Sequence, residues 1–174
     1  MNLNDLFNNK LPSAKPVRTR FRAYKMDKAG ALCSYFSEDH FTLIEAMDSD
    51  ISRKNLMEEM AICGKNHIDT LHITSWDNDH CELKALEWIL DELKPTKIET
   101  PGYLHNSQSA EDCQALITDY NRNAAAKRKE ARVIAVTPEY IKSLDKGTAL
   151  GYTNMFYHPK TIYTTSNDNS TVKF

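Results

Sequence analysis

Asp77, Asp79 and His80 place two carboxylates and an imidazole within four consecutive positions, in the stretch Asp69-Thr70-Leu71-His72-Ile73-Thr74-Ser75-Trp76-Asp77-Asn78-Asp79-His80-Cys81. Hard oxygen donors beside one nitrogen suit zinc, manganese or magnesium, and the same groups can move protons. On spacing alone two other readings stay open. Either aspartate can cap a following helix, and His80 can be a surface residue of that helix's first turn. A second concentration of functional charge is Arg122, Lys127, Arg128 and Lys129, flanked by Arg132. It reads either as a solvated helix end favoured by the macrodipole or as a patch that steers phosphate or nucleic acid. Arg18, Arg20 and Arg22 alternate along one strand face, and this too can be a solvated face or a strip contacting phosphates.

The neighbouring elements must present these groups. The apolar run from Ile68 to Ile73 predicts a buried strand, and the pattern from Glu82 to Leu93 predicts an amphipathic helix. Strand, polar loop, helix is the arrangement that puts sites beyond the carboxyl ends of strands in α/β proteins. Before it, Arg18–Tyr24, Ala31–Phe36 and Phe41–Ala46 predict strands, the last two joined by a turn at Ser37-Glu38-Asp39-His40. A helix capped by Asp50 or Ser52 follows, with Leu56, Met57, Met60 and Cys63 on its apolar stripe and Gly64 after its end. Lys97–Thr100 is a short strand leading into the turn-rich loop Pro101-Gly102-Tyr103-Leu104-His105-Asn106. Ser109 and Asp112 suggest a capping box for a helix with Cys113, Leu116, Ile117, Tyr120 and Ala124 along one side. Arg132–Val136 is a further strand, and Thr137-Pro138 starts another helix. The β-prone segments Tyr152–Lys160 and Thr161–Thr165 follow. Residues 1–16, polar and with two prolines, read as a flexible leader or a docking arm.

The 174 residues suffice for one domain with a sizeable core. The formal net charge of −2 argues against a large nucleic-acid footprint but leaves room for a small cleft. No run of about 18 apolar residues occurs and no signal peptide is evident, so no membrane span is expected. The four cysteines, Cys33, Cys63, Cys81 and Cys113, form no C-x-x-C pair and read as free thiols in a reducing, cytoplasmic setting.

The loop resembles the His-x-His-x-Asp-His signature of the metallo-β-lactamase fold hydrolases, and is most similar to their competence-type branch, the hydrolase domain of DNA-uptake channel proteins and their stand-alone relatives. Asp79 and His80 match the family's Asp and His. Ser75 stands at the first His position and Asp77 at the second. The kept groups belong to the family's second metal site and the lost ones to its first. Gly30-Ala31 and Ile44-Glu45-Ala46-Met47 are similar to the ends of the family's opening strands, and the resemblance implies a supporting or structural role for Glu45. It also places the strand Lys97–Thr100 beside the signature strand, which makes His105 a further site candidate; the alternative is an exposed loop histidine. The turn Ser166-Asn167-Asp168-Asn169-Ser170 is similar to a turn in the same branch that leads into a strand ending in Gly-Asp.

The resemblance implies an α/β chain with the metallo-β-lactamase-like αββα sandwich or its N-terminal half, spanning 17–174. The later part of the family domain, with its bridging Asp and last His, is missing. A second chain or a second copy is therefore expected to complete the sandwich. The implied function is a metal-dependent hydrolase or hydrolase subunit using zinc or manganese on phosphodiester bonds of nucleic acid or a nucleotide. Asp77, Asp79, His80 and His105 would be the metal ligands, and Asp77 and Asp79 the catalytic carboxylates. Arg122, Lys127, Arg128 and Lys129 would contact substrate. The alternative is a catalytically degenerate interaction or regulatory module that uses its sheet to dock a partner.

Overall fold

A computed structural model describes residues 19–105, 107–126, 131–144, 156–157 and 172–173. The expected leader and Lys127, Arg128 and Lys129 lie outside the described residues, as do most of the β-prone segments after residue 150. The fold is α/β. Six strands form one mixed sheet in chain order: β1 (Arg20–Ala23), β2 (Cys33–Ser37), β3 (His40–Ile44), β4 (Thr70–His72), β5 (Lys97–Pro101) and β6 (Arg132–Val136). The first three are antiparallel neighbours, and β3 to β6 run parallel. A two-residue loop joins β2 to β3. Glu38 (φ 51°) and Asp39 (φ 64°) both take the left-handed conformation that matches the twist of a tight hairpin. A small antiparallel pair joins β7 (Phe156–Tyr157) and β8 (Val172–Lys173).

Parallel neighbours need crossovers, and helices supply them. These are α1 (Asp50–Cys63), α2 (Leu83–Trp88, continued by a widened π turn Ile89–Leu93) and α3 (Gln108–Ala126). A final helix, α4 (Pro138–Leu144), follows β6. Each crossover adds the next strand on the same side, so a constant connection hand brings the three crossover helices to one sheet face. The register shows which face. The row Leu43, Leu71, Ile98, Val133 runs across β3 to β6 and packs with Leu56, Met60, Leu86, Leu90, Leu93, Cys113 and Ile117.

The opposite face is more polar. Thr42, Thr70 and Lys97 make one row and Ile44, His72 and Glu99 the next. His72 and Glu99 are both buried, with His72 Nδ1 3.0 Å from Glu99 Oε2 and Lys97 Nζ 2.5 Å from Glu99 Oε1. At the β1–β2 end this face carries the cross-strand pair Phe21 and Tyr35, 66% and 42% exposed.

Helix ends differ from expectation in instructive ways. The N-cap of α1 is Ser49, not Asp50 or Ser52. Its backbone is extended, its Oγ accepts from Ser52 N, and Ser52 Oγ accepts from Ser49 N, a reciprocal box made by two serines. Gly64 ends α1 in the left-handed conformation, as predicted. Met57, expected on the stripe, is exposed. Ser107, not Ser109, caps α3 through Ala110 N. Thr137 caps α4 through Tyr140 N, as the sequence predicts.

Arg20 and Arg22 correct the phosphate-strip reading. Both turn onto Glu59 of α1, whose side chain is 2% exposed. Arg20 uses Nε and Nη2, at 2.5 and 3.0 Å, and Arg22 uses Nη1 at 3.3 Å. A buried carboxylate on the helix interface needs partners, and these arginines supply them. The third residue of that strip, Arg18, lies outside the described residues. No helix among the described residues is long and apolar enough to cross a membrane.

Candidate functional site

The site lies beyond the carboxyl ends of β3 and β4. Glu45 follows β3 with φ 72°, an uncommon conformation for a residue with a side chain. This backbone is pinned by Glu45 N donating to His72 O at 2.8 Å. The loop after β4 then folds back over the strand ends. Ala46 N donates to His80 O at 2.8 Å, Glu82 N donates to Ala46 O at 3.0 Å, and Ala46 pairs with Cys81 as an isolated parallel bridge. Inside the loop, the amides of His80 and Cys81 both donate to Asp77 O at 2.9 Å. Gly30, at φ 126°, lies against it. A Cβ there would stand 2.7 Å from Met47 Cε and 2.8 Å from Asp79 O, so only glycine fits.

Glu45 is buried, and three groups converge on its carboxylate. Thr74 Oγ1 donates to Oε1 at 2.5 Å, Thr74 N donates to Oε2 at 3.1 Å, and His80 Nδ1 lies 3.2 Å from Oε1. The hydrogen bond that His80 donates to Glu45 is the main reason that its imidazole is held above its ordinary pKa. Burial opposes this, and the charges of Glu45, Asp79 and Asp77 reinforce it. With Nδ1 turned inward, His80 Nε2 is on the side of Asp79, 3.9 Å from Asp79 Oδ2. His80 is partly exposed and Asp79 largely so. A histidine fixed through one nitrogen by a buried carboxylate presents its other nitrogen in a defined direction, to a metal or to a reacting proton.

Asp77 and Ser75 form a second, adjoining network. Ser75 is fully buried; its Oγ donates to Asp77 Oδ2 at 3.1 Å and accepts from Asp77 N at 3.2 Å. Tyr103, from the loop after β5, reaches across. Its hydroxyl lies 3.0 Å from Ser75 Oγ and accepts from Trp76 N at 3.0 Å. Burial raises the Tyr103 pKa, so the hydroxyl is a neutral clamp on the loop. Gly102 allows that approach, since a Cβ would fall 2.3 Å from Val136 O.

His105 is near the loop but faces another neighbour. Its Nε2 is 2.6 Å from Gln114 Oε1 on α3, and its ring stands edge-on to Trp76 with centroids 6.3 Å apart. It shares an open depression of about 420 Å³ along α3 with Arg122. The guanidinium of Arg122 is largely exposed, 3.2 Å from Asp119 Oδ1. The predicted residues thus divide between two places: Asp77, Asp79 and His80 in the loop over the strand ends, and His105 and Arg122 beside α3. Among the described residues, no three His, Cys, Asp or Glu side chains converge to hold a metal ion.

Sequence reading anticipated Glu45 only as a supporting group, and it did not single out Thr74 or Tyr103. Glu45 carried one signal, a charged residue ending an otherwise apolar strand. Tyr103 carried none, because its contact spans 28 positions along the chain. No family model and no curated protein matches the sequence.

Proposed function

We propose that this chain is a metal-dependent hydrolase, or a subunit of one, acting on phosphodiester bonds of nucleic acid or a nucleotide, as its resemblance to the competence-type metallo-β-lactamase fold enzymes implies. The observation that carries this reading is the Glu45–His80 pair beyond the carboxyl ends of the parallel strands β3 and β4. A buried carboxylate on Nδ1 fixes the imidazole's tautomer and orientation and raises the basicity of Nε2, which suits a metal ligand. Asp79 adds a hard oxygen on the same side. This donor set fits zinc or manganese bound in part by solvent. His80 and Asp79 would hold the ion, which supplies Lewis acidity for activating water and polarising a phosphoryl oxygen. Glu45 orients His80, Thr74 holds Glu45, and Tyr103 with Ser75 fixes the loop that carries Asp77. Asp77 lies next to this centre as a base or a further ligand, once its carboxylate leaves Ser75.

The architecture supports the same family reading. An antiparallel opening hairpin runs into parallel strands with crossover helices on one face, which suits the N-terminal half of an αββα sandwich. A second chain or copy would dock at the β1–β2 end of the opposite face, where Phe21 and Tyr35 are exposed.

A second reading has its own support. Ser75 takes a position where the family has a ligand, is fully buried and is bonded to Tyr103, and Asp77 is drawn onto it. This arrangement suits an interaction module that has kept the loop as structure. The test is hydrolysis of bis(p-nitrophenyl) phosphate and of single- and double-stranded DNA and RNA, with Mn²⁺ or Zn²⁺ supplied. Turnover by the wild type, lost in a folded Asp79→Ala/His80→Ala variant, is expected of the hydrolase. A wild type inert on all of these substrates favours the interaction module.

A further inference from the structure

Helix α1 packs one side into the core through Leu56, Met60 and Cys63. Its other side carries a stripe of Ile51, Lys54, Glu58 and Ile62, all exposed. Steps of three, four and four residues keep these side chains within about 80° of one another around the helix, the spacing of a helix–helix seam. Ile51 and Ile62, 49% and 50% exposed, stand at the two ends of the stripe, with the opposite charges between them. Those charges are not used within the helix. Lys54 precedes Glu58 by four positions, the less favourable order for a pair one turn apart. Among the described residues neither forms an ion pair.

We propose that this stripe is a homodimer interface, occupied by the same stripe of a second copy running antiparallel across a two-fold axis. The order of the four residues selects that partner. About an axis near residues 56 and 57, Ile51 of one chain meets Ile62 of the other, and Lys54 of one meets Glu58 of the other. Two-fold symmetry makes each contact twice, so four residues supply two apolar pairs and two ion pairs. A parallel copy in register would set lysine against lysine and glutamate against glutamate, and like charges so placed reject it. A uniformly acidic or basic partner would satisfy only one of the two charges. A helix of 14 residues is about 21 Å long, which makes a small interface. The dimer is therefore weak, with a dissociation constant on the order of 10 μM. This surface does not depend on the hydrolase reading, and it is distinct from the β1–β2 end, because α1 packs on the sheet face opposite Phe21 and Tyr35.

The test is sedimentation velocity of the full chain at low ionic strength, from about 1 to 300 μM, with Lys54→Glu, Glu58→Lys and the variant carrying both changes. The wild type should pass from one chain mass to two across this range. Lys54→Glu leaves both charged positions acidic and Glu58→Lys leaves both basic, so each alone should weaken the dimer about tenfold or more. The double variant restores opposite charges and should dimerise like the wild type. An equimolar mixture of the two single variants should form a heterodimer tighter than either homodimer, which requires positions 54 and 58 of different chains to meet. The altered side chains are exposed, and circular dichroism checks that each variant is folded. A wild type that stays monomeric throughout would overturn the proposal. So would a dimer that all the variants retain, single variants that mixing fails to rescue, or a dimer lost instead in Phe21→Ser, which would assign it to the β1–β2 end.

Discussion

Replacing Arg20 and Arg22 together with alanine should destabilise the protein more than neutralising their shared partner. Glu59 is 2% exposed, while the arginine side chains are 42% and 31% exposed. Glu59→Gln leaves two guanidinium groups that can turn to water, and its cost should be about 1–2 kcal/mol, the scale of lost charged hydrogen bonds. The double arginine variant instead leaves the Glu59 carboxylate at the interface between α1 and the sheet without its two cationic partners, the more costly way to break such a pair. The penalty is limited, because Glu59 can take up a proton. This makes the penalty depend on pH. In the intact protein the hydrogen bond from Arg20 is the main influence holding the Glu59 pKa down, against burial, which raises it. A depressed carboxylate contributes stability that is present above its unfolded pKa and lost as pH falls through the folded value. Without the arginines, burial raises the Glu59 pKa, and the Cys63 thiol 4.0 Å from Oε1 is its remaining donor. The wild type therefore loses this contribution on acidification while the variant loses none, and the gap between them narrows. Urea unfolding followed by circular dichroism at about pH 7 and about pH 4 measures it. A gap equal at both pH values, or a Glu59→Gln cost exceeding that of the double variant, would refute the reasoning and reopen the two arginines as a phosphate-contacting strip.

Gly30→Ala should cost about 1–3 kcal/mol, since it combines a left-handed φ with a Cβ 2.8 Å from Asp79 O, and the denaturation midpoint should fall accordingly. Tyr103→Phe removes the acceptor of the Trp76 amide and a partner of Ser75, so a loss of about 1–3 kcal/mol is expected, with faster amide exchange at Trp76 as the local readout. Ser49→Ala should cost about 1 kcal/mol through loss of the α1 cap, whereas Asp50→Ala, outside the box, should cost less; paired thermal melts distinguish them.

The sheet was largely legible because its strands announce themselves. The apolar run around Leu71 needs burial on both faces, and Cys33–Ser37 and His40–Ile44 bracket a two-residue turn. What resisted reading depended on geometry that spacing does not encode. Ser49, Asp50 and Ser52 can all cap a helix, and only the extended backbone at Ser49 decides between them. The widening of α2 into a π turn at Ile89–Leu93 leaves no trace in an amphipathic pattern. The arginine strip had its answer in the sequence, since Glu59 sits among the stripe residues Leu56, Met60 and Cys63, where a charge requires a partner. In the site, proximity in sequence was enough to group Asp79 with His80. Glu45, which orients His80, follows β3, and Tyr103, which holds Ser75 and Trp76, comes from the loop after β5; only the fold brings them there.

The most direct test of the Glu45–His80–Asp79 centre is titration of the metal-free protein with Mn²⁺ and Zn²⁺ by calorimetry, alongside the Asp79→Ala/His80→Ala and Glu45→Gln variants. One ion per chain is expected, with binding abolished in the double variant and weakened about 10–100-fold by Glu45→Gln, the usual effect of losing a group that orients a ligand. Absence of binding, or binding that both variants leave unchanged, would contradict a metal centre at this edge of the sheet.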